Sequence, residues 1–279
     1  DDLPQQFKKA RQIFALDNYF RVSADDLEAK ICLKPVREVN LTGRATQKEL
    51  SYAKLNSTDQ KAMDRAMGAE WAKWTEFGAY KVLTDAQLKD IYRKDPKIRV
   101  IGTRWVLTSK ESTKAMKARL VVQGCQEDKS HIRTDAPTGS RDALLLTIAH
   151  GAQEGWDLNS YDAATAYLQS GNIDRLLLIR MPWKNPPPGM KPGQVVMATG
   201  AIYGTRDAGR QWYLYARKVL AAAGLRESRL EKGLYMYYDK ADGKLAAVIH
   251  SHVDDFLIAS RNSSKEWSAT IKELSLIHI

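Results

Sequence analysis

Apolar residues at helical spacing mark three segments of the chain. The clearest begins at Ser57, where apolar side chains follow at intervals of four, four and three residues: Met63, Met67, Trp71 and Trp74. That spacing lines one face of an α-helix, and Ser57 with Gln60 has the spacing of a capping box. We therefore expect a helix of about five turns whose aromatic side lies in the core. Further helices are predicted over 140–153, capped by Ser140, and over 208–223.

Strand patterns occupy the intervals between these helices. Two runs rich in β-branched residues, 98–110 and 117–124, predict a pair of strands joined by a basic tip. Residues 156–162 alternate as a strand that carries Asp162 near its end, and 175–183 form another strand before a proline-rich loop. Because helices and strands alternate without a regular strand–helix–strand repeat, the predicted fold class is α+β rather than a doubly wound parallel sheet.

Two adjacent acids interrupt the last strongly apolar stretch. Asp254 and Asp255 lie between the apolar runs 246–249 and 256–259. Buried carboxylates are costly unless they are hydrogen-bonded, paired or bound to a cation, and a hairpin turn is the simplest explanation. Asp162, at the end of a separate strand, adds a third carboxylate and makes a Mg²⁺ site the alternative. Neighbouring strand residues point to opposite faces, so we weight Asp254 above Asp255 as a metal ligand.

The charge of the chain is positive and unevenly distributed. The 279 residues contain 43 Lys and Arg against 33 Asp and Glu, a formal net charge of +10. Twelve basic and five acidic residues lie between Arg93 and Arg141, so this stretch holds +7 of the total. Concentrated positive charge suggests a polyanionic partner such as nucleic acid. A solvated face that keeps the protein soluble explains the same charge.

Several protein classes are not expected. The two cysteines, Cys32 and Cys125, argue against a disulfide scaffold or a cysteine zinc cluster. The sequence has no run of ~18 apolar residues and no signal-peptide pattern, so no membrane partner is expected. It also contains neither the phosphate-loop pattern nor the G-x-S-x-G motif, which argues against a P-loop enzyme and a serine hydrolase.

Six segments, in order, carry a family resemblance: RWVLTSK, KARLVVQGCQ, DAPTGSR, GWDLNSYDAATAYLQSG, IYGTRDAGRQWY and HVDDFLIA. YDAATAYL resembles motif A of reverse transcriptases, and HVDDFLIA resembles their motif C. The order and spacing are similar to those of the copia-type (Ty1/copia) retrotransposon polymerase over 62–262. The resemblance implies an RNA-directed DNA polymerase with right-hand fingers and palm. It also implies an antiparallel palm sheet backed by helices, with the thumb largely missing.

The resemblance assigns catalytic and metal-binding roles to three acids. Asp162 and Asp254 match the principal metal-binding acids, and Asp255 matches the supporting one. The implied cofactor is a pair of Mg²⁺ ions, with Mn²⁺ as a substitute, which would transfer a deoxynucleotide to a primer 3′-OH. His250 and His252 lie two residues apart near these acids and leave a transition-metal site as a weak alternative.

Five residues match nucleotide-binding positions of the family. Tyr167 matches the aromatic gate beneath the sugar, where a ring would clash with a ribose 2′-OH; a core aromatic is the alternative. Lys117 and Arg119 match the strand that meets the triphosphate, and their alternation with an apolar residue directs both to one face; a solvated strand face is the alternative. Tyr203 and Gly204 match the loop before the template-side helix, where glycine lets the backbone approach a base pair.

Three residues are implied to contact template and primer. Arg206 and Arg210 are expected to bind template phosphates. His252 stands near the primer terminus, where the family usually has Tyr. Asp207 replaces a usual Gln and is expected to put negative charge near nucleic acid, and Gly209 replaces a usual Pro.

These expectations divide the chain into a polar, loosely structured lead-in over 1–56, fingers and palm over 57–262, and a truncated C-terminal end over 263–279. The final LSLIHI resembles translated adaptor sequence. The implied partners are an RNA or DNA template with primer, deoxynucleoside triphosphates, and the integrase and RNase H of the polyprotein. The implied location is a cytoplasmic virus-like particle or the nucleus. The alternatives are a non-catalytic nucleic-acid-binding remnant of a decayed element and a metal-dependent nuclease.

Overall fold

A computed structural model describes residues 49–109, 115–128 and 132–276. Most of the predicted lead-in, the tip between the first two predicted strands and the last three residues of the chain lie outside these ranges. The described part of the lead-in contains a single 3₁₀ turn, Tyr52–Lys54. The Tyr52 hydroxyl donates a hydrogen bond of 2.8 Å to the Asp64 carboxylate.

The helices and strands follow the predicted order. The helices are α1 (Ser57–Glu76), α2 (Asp85–Lys94), α3 (Arg141–Glu154), α4 (Ala166–Gln169), α5 (Ala208–Ala222) and α6 (Lys265–Leu276). The strands are β1 (Tyr80–Val82), β2 (Val100–Ser109), β3 (Met116–Val122), β4 (Asp157–Asp162), β5 (Asn172–Arg180), β6 (Val195–Gly200), β7 (Arg226–Glu227), β8 (Leu234–Tyr238), β9 (Leu245–His252) and β10 (Asp255–Ser260). In the described ranges, no helix is both long and apolar enough to cross a membrane.

The described residues divide into two compact units. The N-terminal unit contains 49–136 and 165–215, and the C-terminal unit contains 137–164 and 216–276. Each unit has one five-stranded sheet, with strand order β1-β6-β5-β2-β3 in the first and β4-β10-β9-β8-β7 in the second. All pairings are antiparallel except β2 with β5, which confirms the α+β fold class.

Helix α1 supplies much of the core of the N-terminal unit. Met63 and Trp74 are fully buried, as the helical spacing predicts, and Trp74 packs with Leu120 of β3. The cap is Asn56, one residue before the predicted Ser57. Asn56 has extended dihedral angles, and its side chain accepts a hydrogen bond from the amide of Asp59, so it satisfies a backbone donor that helix geometry leaves open.

Helix α3 packs on the sheet of the C-terminal unit. Ile148 forms a buried cluster with Leu158 of β4 and Ala259 of β10. The helix begins as predicted, because the Ser140 hydroxyl accepts a hydrogen bond of 3.2 Å from the amide of Ala143. It ends at Gly155, whose φ of 65° is in the left-handed region that glycine adopts without strain. This packing supports β4 and β10, the strands that carry the predicted acids.

Candidate active site

The acidic dipeptide lies at a tight hairpin turn between β9 and β10, with Asp254 in the turn and Asp255 at the start of β10. His252 pairs with Asp255 across the hairpin, so Val253 and Asp254 are the two turn residues. Val253 has a φ of 58°, a left-handed conformation that is costly for a β-branched side chain. The hairpin interpretation of this dipeptide is therefore confirmed. The turn also places Asp254 and Asp255 at the end of the sheet, which is compatible with a cation site.

Strand pairing brings the three acids near one another from the two segments of the C-terminal unit. β10 lies antiparallel to β4, with Asp255 directly opposite Asp162. Directly opposed residues of antiparallel strands project from the same face. The amide of Ala163 donates a hydrogen bond of 2.7 Å to the main-chain oxygen of Asp254, so the turn lies against the end of β4. The register thus makes Asp255 the cross-strand neighbour of Asp162, whereas the sequence analysis favoured Asp254 over Asp255 as a metal ligand.

The three acids at this end of the sheet differ in exposure. Asp162 and Asp255 are exposed and Asp254 is half-buried. In the described part of the chain, the Asp162 and Asp254 carboxylates have no hydrogen bond or ion pair. Carboxylate oxygens are the ligands that Mg²⁺ prefers, so the residue types match those of a hard-cation site. Within the same ranges, no group of three His, Cys, Asp or Glu side chains is placed so that it could hold a metal ion. The register brings the three acids near one another in the sheet, and their joint role as metal ligands stays a prediction.

The two neighbouring histidines have different environments. His252 is exposed at the end of β9, whereas His250 is buried. The ring Nε2 of His250 lies 3.0 Å from the main-chain oxygen of Ser140. Burial lowers the pKa of His250 below its usual value, although hydrogen bonds to the Ser140 and Gly139 backbone oppose the shift. Since His250 is engaged with the α3 cap, the described structure gives no support to a transition-metal site here.

Strand β3 of the N-terminal unit presents the two predicted triphosphate-binding residues. Ala118 and Leu120 are buried, while Lys117 is half-buried and Arg119 exposed. Lys117 and Arg119 therefore share the face of β3 that points away from the core. The burial pattern agrees with the alternation that the sequence predicts, and it leaves the roles of the two side chains as predictions.

Three of the predicted nucleotide-binding residues form a continuous chain of contacts. The Arg119 guanidinium lies over the Tyr203 ring, 5.2 Å from its centroid. The Tyr203 ring in turn meets the Tyr167 ring edge-on, with centroids 5.1 Å apart. These residues come from β3, from the segment before α5 and from α4, so tertiary packing assembles them. The result is one basic and aromatic cluster, which we call the Arg119 cluster.

Position 204 needs a glycine because the main chain there lies against the main chain at the end of β3. The amide of Val122 donates a hydrogen bond of 2.8 Å to the main-chain oxygen of Tyr203. The amide of Gly124 donates one of 3.1 Å to the main-chain oxygen of Gly204. Gly204 has a φ of 91°, and a Cβ there would lie 2.1 Å from the Val122 oxygen. The sequence predicted a close approach to a base pair; within the described residues, the close approach is to the end of β3.

Two of the predicted template contacts, Arg210 and Arg206, make hydrogen bonds within the protein, the first through its side chain and the second through its main chain. Arg210 pairs with the Asp135 carboxylate and is 17% exposed, so a phosphate contact would compete with that ion pair. The amide of Arg206 donates a hydrogen bond of 3.2 Å to the Glu127 carboxylate. The Arg206 side chain has its Nε buried without a partner among the described residues.

Asp207 does not present its charge to solvent, contrary to the sequence expectation. It is 4% exposed and receives two hydrogen bonds, of 2.6 and 2.8 Å, from the Arg175 guanidinium. Burial would raise the pKa of Asp207, but the hydrogen bonds from Arg175 and Gln211 outweigh it and hold that pKa below the usual value. Sequence reasoning missed Arg175; the only signal was a lone arginine beside the apolar run of β5.

Comparison with known proteins gives the family. Residues 89–274 match the family described as reverse transcriptase (RNA-dependent DNA polymerase). The chain is 25% identical over 178 residues to a retrovirus-related Pol polyprotein from transposon RE2 of Arabidopsis thaliana, covering 60% of this chain. It is 25% identical over 175 residues to the corresponding polyprotein from transposon RE1, covering 59%. The matched segments span 12% and 11% of those two polyproteins. The chain therefore belongs to the reverse transcriptase (RNA-dependent DNA polymerase) family, in its copia-type branch.

Proposed function

We propose that the chain is the nucleotide-adding region of a copia-type RNA-directed DNA polymerase, with the C-terminal unit as palm and the N-terminal unit as fingers. The observation that carries the proposal is the register of β4 and β10. It sets Asp162 opposite Asp255 and brings the turn that holds Asp254 against the end of β4. Binding of nucleic acid alone requires no cluster of acids, because carboxylates repel phosphate.

In this proposal the three acids hold the divalent cations. A bound Mg²⁺ pair would activate the primer 3′-OH and stabilise charge on the departing pyrophosphate. The carboxylates orient those ions. Lys117 and Arg119 bind the triphosphate, for which a guanidinium offers several donors in a rigid plane. The Tyr167 ring would exclude a ribose 2′-OH, which selects deoxynucleotides.

The proposed partners are a primed RNA or DNA template and deoxynucleoside triphosphates. His252, Arg206 and Arg210 are the proposed contacts to template and primer. Integrase and RNase H from the same polyprotein would act with this region, in a cytoplasmic virus-like particle or in the nucleus.

Primer extension on an RNA template with Mg²⁺ tests the proposal, using the chain with Asp162 intact and the Asp162→Asn variant. The substitution keeps the shape of the side chain and removes a negative ligand. We expect extension to fall at least ~10²-fold, which is about 2.7 kcal/mol of transition-state stabilisation.

The matched control is Asp157→Asn, at the opposite end of the same strand, where Asp157 pairs with Ser260. This variant should extend primers like the unmutated chain. Equal extension by Asp162→Asn and the unmutated chain would overturn the two-metal assignment. Template binding without extension by the unmutated chain would favour the non-catalytic remnant.

A further inference from the structure

We propose that Arg175, Glu127 and Asp207, together named the ionic clamp, are positioning residues that hold Tyr203 and Gly204 in place for nucleotide binding. The clamp lies within the N-terminal unit and joins three segments that are distant in sequence: β5, the turn after β3 and the residue before α5. The nucleotide-binding part of this proposal rests on the proposed polymerase function.

One arginine holds two carboxylates in the clamp. Arg175 Nη1 lies 2.6 Å from Asp207 Oδ2, and its Nη2 lies 2.8 Å from Asp207 Oδ1. Nη2 also lies 2.8 Å from Glu127 Oε2. The parallel pair of bonds to Asp207 uses the planar fork of the guanidinium, which constrains direction as well as distance. Lysine could supply the charge but not this geometry.

The clamp is withdrawn from solvent. The side chains of Glu127 and Asp207 are 3% and 5% exposed, and that of Arg175 is 23% exposed. Removal of one partner would leave a buried charge without compensation, so the remaining groups would have to move to reach water. The clamp is thus sensitive to the loss of any one of its members.

The clamp acts directly on the segment that carries Tyr203. Glu127 uses its second oxygen, Oε1, to accept a hydrogen bond of 3.2 Å from the amide of Arg206. Asp207 is the next residue along the chain. Both acids therefore fix the end of the segment 203–206.

The other end of that segment is fixed by the two backbone hydrogen bonds from Val122 and Gly124, of 2.8 and 3.1 Å. The main chain of Tyr203 accepts the first of these bonds, and its ring lies under the guanidinium of Arg119 in the Arg119 cluster. If the clamp opens, we expect the segment to lose its distal restraint and the ring of Tyr203 to lose its fixed orientation. Nucleotide binding should weaken more than the chemical step.

The test compares Arg175→Gln with a matched control, Arg261→Gln, in the full chain. Arg261 lies in the C-terminal unit, is 22% exposed and pairs with Asp239 at 3.1 Å and Asp242 at 2.8 Å. Each substitution removes an arginine of similar exposure that holds two acids. The measurements are Tm, the KM for deoxynucleotide and kcat in primer extension, and amide hydrogen exchange of 122–127 and 203–207.

We expect Arg175→Gln to raise the KM roughly tenfold with kcat changed by less than about threefold. Hydrogen exchange should accelerate in 122–127 and 203–207. Arg175→Lys, which keeps the charge and loses the fork, should give intermediate values. Arg261→Gln should lower Tm without changing the KM or exchange in these two segments.

The proposal is overturned if Arg175→Gln lowers Tm as the control does and leaves both KM and exchange unchanged. If Arg175→Gln does not fold, Asp207→Asn provides the same test, because it keeps the side-chain shape while removing one charge. Hydrogen exchange does not depend on activity. A chain that fails to extend primers would therefore refute the polymerase proposal, while the exchange comparison would still decide whether the clamp fixes 203–206.

Discussion

At the scale of single residues, Asp254 has a structural role in the turn and a proposed role as a metal ligand. Its main-chain oxygen accepts the hydrogen bond from Ala163, and its half-buried carboxylate is the proposed ligand. A substitution that keeps the backbone can therefore separate architecture from chemistry. Asp254→Asn preserves the hairpin, because the side chain is nearly isosteric and the hydrogen bond uses the main chain.

We predict that Asp254→Asn lowers polymerisation by at least ~10²-fold, or about 2.7 kcal/mol on the rate scale. Affinity for primed template should stay level or rise slightly, because a negative charge near phosphate is lost. Single-turnover extension and a filter-binding titration measure the two quantities. A parallel loss in both would indicate that the variant is misfolded or that Asp254 only supports the binding surface.

His250 predicts a dependence of stability on pH. Burial lowers its pKa from the usual 6.5, so the unfolded chain binds the proton more readily than the folded chain. The contribution of His250 to the free energy of unfolding is full above pH ~6.5, and it decreases as the pH falls below that value. The groups that face His250 are the Ser140 and Gly139 backbone, His252 and Glu231.

Urea unfolding at about pH 7.5 and pH 5.5 measures this effect in the unmutated chain and in His250→Gln. The variant should lose less stability on acidification, since its amide can approach the Ser140 oxygen without titrating. An identical pH slope in both proteins would show that His250 does not carry the dependence.

At the scale of elements, β3 has one face in the core, and Lys117 and Arg119 lie on the other face. We predict that the double variant Lys117→Ala with Arg119→Ala raises the KM for deoxynucleotide at least roughly tenfold, and weakens template binding less. The physical reason is that the triphosphate carries concentrated charge, whereas template phosphates are distributed over many contacts.

The control for that variant is Lys61→Ala with Arg65→Ala, which removes the same charge from the exposed face of α1. It should change neither KM nor template affinity by more than about twofold. Equal losses of nucleotide and template binding in the β3 variant would indicate a general basic surface.

Two glycines test the contact between β3 and the segment before α5. A Cβ on Gly124 would lie 2.1 Å from the Gly204 oxygen, whereas one on Gly68 of α1 would have no heavy atom within 4 Å. We predict that Gly124→Ala destabilises the chain by about 1–3 kcal/mol, as overpacking does. Gly68→Ala should stabilise it by roughly 0.5–1 kcal/mol through helix propensity. Urea unfolding of both variants measures the difference, and a neutral Gly124→Ala would contradict the close approach.

At the scale of the whole molecule, the net charge of +10 predicts salt-sensitive binding to nucleic acid. Affinity for single-stranded RNA should fall at least roughly tenfold between about 50 and 200 mM salt. Binding releases counterions from the RNA phosphates, and that release becomes less favourable as the salt concentration rises. Fluorescence anisotropy over a salt series measures the slope. An affinity independent of salt would show that the positive surface does not bind phosphates.

The sequence by itself determined those features that depend on neighbouring residues. The apolar spacing of α1, the Ser140 cap and the strand ending at Asp162 follow from local periodicity, because side-chain direction repeats every 3.6 residues in a helix and every two in a strand. The ordered motifs also identified the family, because a motif is itself a pattern of residues along the chain and does not depend on the folded structure. The position of the α1 cap shifted to Asn56 because two adjacent polar residues can both cap, and backbone dihedral angles select between them.

Tertiary structure alone decided which distant residues meet. The pairing of Asp162 with Asp255 depends on strand register, which side-chain packing across β4 and β10 sets. From the sequence, Asp207 was expected to place negative charge near nucleic acid. In the structure it is buried beside Arg175, which lies 32 residues earlier in the chain. Burial changes the favoured partner of a charge, because a carboxylate that leaves water needs a nearby cation. Periodicity along one segment contains no information about the segment that will supply that cation.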